Sequence, residues 1–166
     1  MHKEAFDFLQ RAIGWLGNTS GLRVVEFGSH DVNGSPRKMF KDVIEYVGVD
    51  PWAGVGVDVV CKAQEFDGKG RFDVCISAET LEHDEDAPGQ IRSAWNALRP
   101  GGKLIITCAA PDRKPHRCDG MEADLGNEWY ENITIPKMFT MLEGWKHIQV
   151  THNLPHGDIY ATAVKP

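Results

Sequence analysis

A chain of 166 residues, 42% of them hydrophobic, is the size of one domain with a sizeable core. Its formal net charge of -6 offers no basic footprint, which disfavours duplex nucleic acid and anionic membrane surfaces as partners. No apolar run approaches the roughly 20 residues that cross a bilayer, and MHKEAFDFLQ lacks a signal peptide's hydrophobic stretch, so a soluble, cytoplasmic protein is expected.

Lys3 to Leu16 sets Phe6, Leu9, Ile13 and Leu16 on one helical stripe, with Gly17 placed to end it, so residues 1–20 read as a packing helix. LRVVEF at 22–27, stopped by Gly28, and IEYVGVD at 44–50, stopped by Pro51, are buried-strand runs. VDVV at 57–60 and RFDVCISA at 71–78 predict two more strands. From Asp86 the period changes: Ile91, Ala94, Trp95 and Leu98 recur at helical spacing, acids crowd the entry, and Arg99 before Pro100-Gly101-Gly102 closes the exit. KLIITCAA at 103–110 is a fifth strand, and strand, helix and strand in succession imply a parallel crossover. Thr134 and Pro136 open a helix carrying Met138, Phe139 and Leu142 that Gly144 ends. HIQVTHN and DIYATAV then flank the turn Leu154-Pro155-His156-Gly157 as antiparallel strands. The pattern is α/β: a Rossmann-like, mostly parallel sheet with a C-terminal antiparallel hairpin. Cys61, Cys75, Cys108 and Cys118 lie far apart, the first three in or beside strand-like runs, and read as reduced structural thiols.

In such a sheet a ligand sits beyond the carboxyl ends of the strands, so the loops after strands one, two and four are where function is expected. The first loop, Glu26 to Ser35, contains Gly28 and Gly34, which tolerate tight backbone conformations and let a ligand approach. A dinucleotide fingerprint needs glycine where His30 stands, and Asp31 would set negative charge beside a pyrophosphate, which disfavours a nicotinamide oxidoreductase. Glu26 and Asp31 would instead attract a nucleoside bearing sulfonium and ammonium groups. The alternative is an ordinary strand-to-helix turn capped by Asp31 or Asn33. Asp50, at the tip of the second strand, can accept from both hydroxyls of an adenosine ribose, and Trp52 is placed to cover the adenine edge.

VVEFGSHDVNGS, YVGVDPW, VDVVCKAQEF, FDVCISAETLEH and ALRPGGKLIIT resemble, in order, the successive motifs of class I S-adenosylmethionine-dependent methyltransferases, over residues 22 to 108. The resemblance implies the seven-stranded sandwich of that family as a single domain over 1–166, with S-adenosylmethionine as cofactor and S-adenosylhomocysteine as product. By the same resemblance Glu26, Gly28, Ser29, His30 and Gly34 would surround the methionine and ribose portion, Asp50 would hold the ribose hydroxyls, and Pro51 and Trp52 would flank the adenine. Ala63 and Gln64 would lie close to the base, with Lys62 standing where relatives usually offer an acid. Ser77, Ala78 and Glu79 would pass under the methionine part.

Methyl transfer is an in-line displacement on an activated sulfonium carbon, so positioning and exclusion of water matter more than a protein nucleophile. For an oxygen or nitrogen acceptor that must lose a proton, His83 and His116 have a suitable ordinary pKa. Glu79-x-x-Glu82-His83 also resembles a segment of ubiquinone-biosynthesis O-methyltransferases linked to a divalent metal, yet acids at a helix entry are explained by the macrodipole, and no metal is expected. The irregular 109–132 segment falls where the family places its substrate-facing insert. Its basic residues Arg113, Lys114, His116 and Arg117, with Trp129 and Tyr130 as stacking surface, suit a small anionic or saccharide-like acceptor, unless the loop is solvated and its aromatics close the core. Two further readings stay open: a cofactor-binding module without transfer, encouraged by the thin connections 51–56 and 61–70, and a nucleotide or nucleic-acid acceptor held by Arg113, Lys114 and Arg117.

Overall fold

The computed structural model describes residues 2–118 and 125–166. Its strands are β1 (Arg23–Phe27), β2 (Glu45–Asp50), β3 (Val59–Val60), β4 (Phe72–Ala78), β5 (Leu98–Ala109), β6 (Lys146–Asn153) and β7 (Asp158–Val164). They form one sheet in the order β3-β2-β1-β4-β5-β7-β6. The first five run parallel, and β7 enters antiparallel between β5 and β6. The strand order reverses between β1 and β4, which opens a crevice beyond their carboxyl ends.

Alternation along the strands divides the core into two layers. Val24, Val74, Ile76 and Ile105 face α1 (Lys3–Gly14), which packs Leu9, Ala12 and Ile13 against them and also buries Ala5. Val25, Phe27, Cys75, Leu104 and Ile106 face the opposite way, where α2 (Ala87–Ala97) and α3 (Ile135–Met141) contribute Ile91, Ala94 and Met138. The α1 stripe runs through Ala5, and Phe6 remains 37% exposed at its rim, because the 3.6-residue period that centres Leu9 and Ile13 passes through position 5. In the two-turn α3 only the Met138 side faces the core, so Phe139 is left outside.

Local chemistry explains the boundaries. Asp86 caps α2 by accepting from the Gly89 N–H at 2.9 Å, with proline in the first turn. β3 is shorter than the apolar run suggests, since the Asp58 carboxylate turns back to take the Gly48 N–H at 2.7 Å and pairs with Arg37. β5 starts earlier than expected, because Leu98 pairs with Phe72 before an irregularity, and the Gly101 N–H, at φ +77°, reaches Lys165 O at 2.9 Å. No α-helix follows β1; Pro36–Met39 forms only a 3-10 turn, capped by Ser35 Oγ accepting from the Arg37 N–H at 3.1 Å. Cys75 and Cys108 are buried, Cys61 is partly so and Cys118 is exposed, all as free thiols. Among the described residues no helix is long and apolar enough to cross a membrane.

Candidate cofactor and acceptor site

A cavity of about 1070 Å³ occupies the crevice beyond β1, β2 and β4. That is the upper end of the size of small-molecule sites, with room for two ligands side by side.

Its first wall is the loop after β1, fastened to the tip of β2 by successive backbone donors. The Gly28 and Ser29 N–H groups donate to Val49 O at 2.9 and 3.2 Å, His30 N–H to Asp50 Oδ2 at 3.2 Å, and Asp31 N–H to Val55 O at 2.8 Å. With these four committed, the loop offers no row of free N–H groups to a pyrophosphate. Gly28 sits at φ +74°, and a Cβ there would fall 2.4 Å from the Thr80 side chain, so only glycine fits. The His30 ring rests on Gly54, where a Cβ would lie 2.2 Å from Nε2. Asp31 closes the loop by accepting from the Gly34 N–H at 2.7 Å and meets Lys38 Nζ at 3.3 Å. It is not part of the cavity wall among the described residues, which revises the attraction assigned to it from sequence.

Two acids occupy the floor. Asp50 accepts from His30 and Trp52 backbone N–H groups, the latter at 2.9 Å, one on each oxygen. Each oxygen therefore keeps a lone pair for a ligand. Glu26 is buried, accepting from Tyr46 Oη at 2.8 Å and Ser35 Oγ at 3.4 Å, and its burial lifts the pKa to about 7. Trp52, 71% exposed, stands at the rim beside Pro51. Ala63 and Gln64 form the opposite edge, but the Gln64 side-chain nitrogen donates to Asp84 Oδ2 at 2.8 Å and Asp86 O at 2.9 Å, leaving its carbonyl oxygen to accept. Lys62 lines the same edge.

The segment after β4 crosses beneath. Ser77 is turned away, accepting from Gln90 Nε2 at 2.8 Å, and does not line the cavity, whereas Ala78 and Glu79 do. Glu79 holds φ +55°, a strained backbone for a residue with a Cβ, and its N–H donates to Thr107 O at 2.8 Å. Thr80, to which the sequence assigns no role within its motif, ties β1 to β4: its hydroxyl faces Phe27 O at 3.2 Å and Ala78 O at 3.1 Å. Thr80→Val is expected to cost about 1–2 kcal/mol in urea unfolding, through loss of that donor from a part-buried crossing.

The far end is built from elements distant in sequence. Arg113 donates to Glu79 Oε2 at 3.0 Å and to the buried Asp158 at 2.6 Å, and Asp158 also accepts from His2 Nε2 at 3.0 Å and Tyr160 Oη at 2.9 Å. His2 is raised in pKa, chiefly by that bond to Asp158. Arg117 pairs with Glu128 at 3.2 Å. His83, His116 and Tyr130 stack edge to face, with ring centroids 5.1 to 5.3 Å apart. Burial, reinforced by His116, lowers the His83 pKa to about 4, and burial lowers that of His116. Both are neutral imidazoles at pH 7. Trp129 completes this wall, while Tyr130 stands behind it.

The sequence profile of a family described as a methyltransferase domain matches residues 1–153. The chain belongs to the methyltransferase-domain family. Among solved structures, this methyltransferase is similar to the Burkholderia thailandensis 1,6-didemethyltoxoflavin-N1-methyltransferase with bound 1,6-didemethyltoxoflavin and S-adenosylhomocysteine, at 18% identity over 98% of this chain and 77% of that one, with a TM-score of 0.70. It is similar to Haemonchus contortus phosphoethanolamine N-methyltransferase 2 in complex with phosphomonomethylethanolamine and S-adenosylhomocysteine, at 15% identity over 96% of this chain and 52% of that one, TM-score 0.72. A Mesorhizobium loti S-adenosylmethionine dependent methyltransferase matches at 16% identity over 97% and 98% of the two chains, TM-score 0.66. At these identities the likeness establishes the class I sandwich fold. No curated protein sequence matches.

The methyltransferase thus brings Glu26, Gly28, Ser29, His30, Gly34, Asp50, Pro51, Trp52, Ala63, Gln64, Ala78 and Glu79 to one cavity, with Ser77 outside it. Of the residues assigned to the acceptor, Arg113, His116, Arg117 and Trp129 share that cavity with His83. Sequence reasoning missed His2 and the Leu154 to Gly157 turn, both of which line it. Their signal was available only as histidine and glycine-containing segments with no spacing to connect them.

Proposed function

We propose that this methyltransferase uses S-adenosylmethionine as donor, yields S-adenosylhomocysteine, and methylates an oxygen or nitrogen of a small acceptor held in the same cavity. The observation that carries the reading is Asp50, a carboxylate fixed by two backbone donors with one lone pair left on each oxygen, facing a glycine-opened loop. Two adjacent hydroxyls of a ribose fit those two acceptors. Glu26, Gly28, Ser29 and Gly34 then border the methionine portion, Pro51 and Trp52 flank the base, and Ala63 with the Gln64 carbonyl oxygen meets its edge. The donor brings a methyl group already activated on a sulfonium, so the protein's own work is to orient, desolvate and find a place for a proton. The neutral imidazoles of His83 and His116 supply that place.

The acceptor end favours a polar, saccharide-like acceptor over an anionic one. Arg113 and Arg117 face carboxylates of the protein itself, while Trp129 offers a ring surface and His83, His116 and Glu79 offer hydrogen-bond acceptors. The same internal pairing weakens the case for a nucleic-acid acceptor. Two similar enzymes are named for methylation of small molecules, which supports a small acceptor here.

Calorimetry of the purified chain with S-adenosylhomocysteine, followed by product formation from S-adenosylmethionine across a panel of sugar, hydroxyl and amine acceptors, tests the reading. Binding with turnover is expected. Binding without product from any acceptor would favour a cofactor-holding module, and stabilisation by NAD(H) alone would replace the assignment.

A further inference from the structure

Glu82 is fully buried at the end of the segment after β4, and neither of its carboxylate oxygens has a hydrogen-bond partner among the described residues. Beside it, His83 Nδ1 is buried and equally without a partner. Orphaned buried polar atoms are costly, and three of them on adjacent residues call for a missing partner. Glu82, His83 and His116 each present a ligand atom, all within 4.8 Å of one another. His116 has its Nδ1 3.2 Å from Lys114 O, the contact that fixes a tautomer and frees Nε2 as a ligand.

We propose that Glu82, His83 and His116 form a binding site for one divalent transition-metal ion of the zinc type. Two imidazoles and a carboxylate are the donor set of open catalytic zinc sites, in which a fourth position is left for water or substrate. Nitrogen donors select such ions over magnesium and calcium, which want oxygen cages. His83 and His116 line the cavity and Glu82 stands behind them, so the fourth position opens toward the acceptor end. A second group, His2, Glu79 and Asp158, has similar spacing, but Arg113 already bridges its two carboxylates and occupies the place of a cation. The set also differs from the Glu79, Glu82 and His83 trio suggested by sequence, because Glu79 is engaged by Arg113 and His116 takes its part.

Within the methyl transfer proposed above, an ion there would replace direct proton acceptance by His83 and His116: it would polarise an acceptor oxygen, whose proton would leave to solvent. The binding itself is tested independently of any turnover. The full chain, stripped with a chelator, is titrated calorimetrically with zinc chloride and, separately, magnesium chloride. One equivalent of zinc and no magnesium response are expected, with zinc affinity reduced about 100-fold or more in Glu82→Gln and in His116→Ala and unchanged in His2→Ala. His116→Ala lies on a part-buried loop and keeps the test available if the Glu82 variant does not fold. Absence of zinc binding, binding indifferent to both substitutions, or binding lost with His2 would overturn the site, and would return both imidazoles to proton transfer.

Discussion

Asp50→Ala is expected to weaken S-adenosylhomocysteine binding about 100-fold or more while the chain still folds. A hydrogen bond to a charged acceptor contributes about 1.5–3 kcal/mol, and a ribose pair offers two, so the loss is about 3 kcal/mol at the low end, or more than two decades in Kd. Part of the cost falls on the protein itself. Asp50 also holds the His30 and Trp52 N–H groups, and releasing them loosens the join between the first loop and β2. Stability should fall by about 2 kcal/mol in the same variant, so affinity must be measured well below its unfolding transition. Asp50→Asn separates the two effects. It keeps one acceptor oxygen but turns an NH2 group toward a backbone donor, and its affinity should lie between those of Asp50→Ala and the unaltered chain. An Asp50→Ala protein that binds the product within threefold of the parent would remove the ribose role, and with it the main support for the cofactor assignment.

What the sequence reveals follows from how local each interaction is. β1, β2, β4 and α2 are written in short-range terms, as apolar runs, the first two stopped by Gly28 and Pro51, and a helix capped by Asp86 that ends before Pro100. The parallel crossover and closing hairpin follow from the element order, and Asp50 at a strand tip needs no knowledge of its partners. The side of the first loop on which each residue falls is another matter. Asp31 and Glu26 look alike as acids near glycines, yet one folds back on Gly34 and Lys38 while the other is buried under Tyr46, 20 residues away. Arg113 looked like a hook for an anion because its partners are Glu79 and Asp158, at separations of 34 and 45 residues. His2 joins them across 156 residues, a pairing that no periodicity encodes. Charges read from sequence are available to ligands only until the fold finds counter-charges for them.

Glu26 gives the second large effect, in its dependence on pH. Its pKa of about 7 in the folded chain stands above the 4.5 of an exposed glutamate, with burial as the principal cause and the Tyr46 and Ser35 hydrogen bonds and the Arg37 charge acting the other way. Between these two values the folded state keeps a proton that the unfolded state has lost. Stability from this group is therefore highest below pH 4.5 and declines as pH rises through 7, by about 3 kcal/mol in all. Glu26→Gln preserves an acceptor for Tyr46 and removes the titration, so in urea unfolding the variant should gain on the parent as pH rises from 5 to 8. Binding should move the opposite way. An ionised Glu26 beside a positively charged donor helps to hold it, so affinity for S-adenosylmethionine should climb through pH 7 in the parent chain and stay flat in Glu26→Gln. The two trends have one origin, since a carboxylate that is costly to ionise in the empty pocket is the one a cation most rewards for ionising. If stability and affinity ran parallel with pH in parent and variant alike, Glu26 would not be the group that links them.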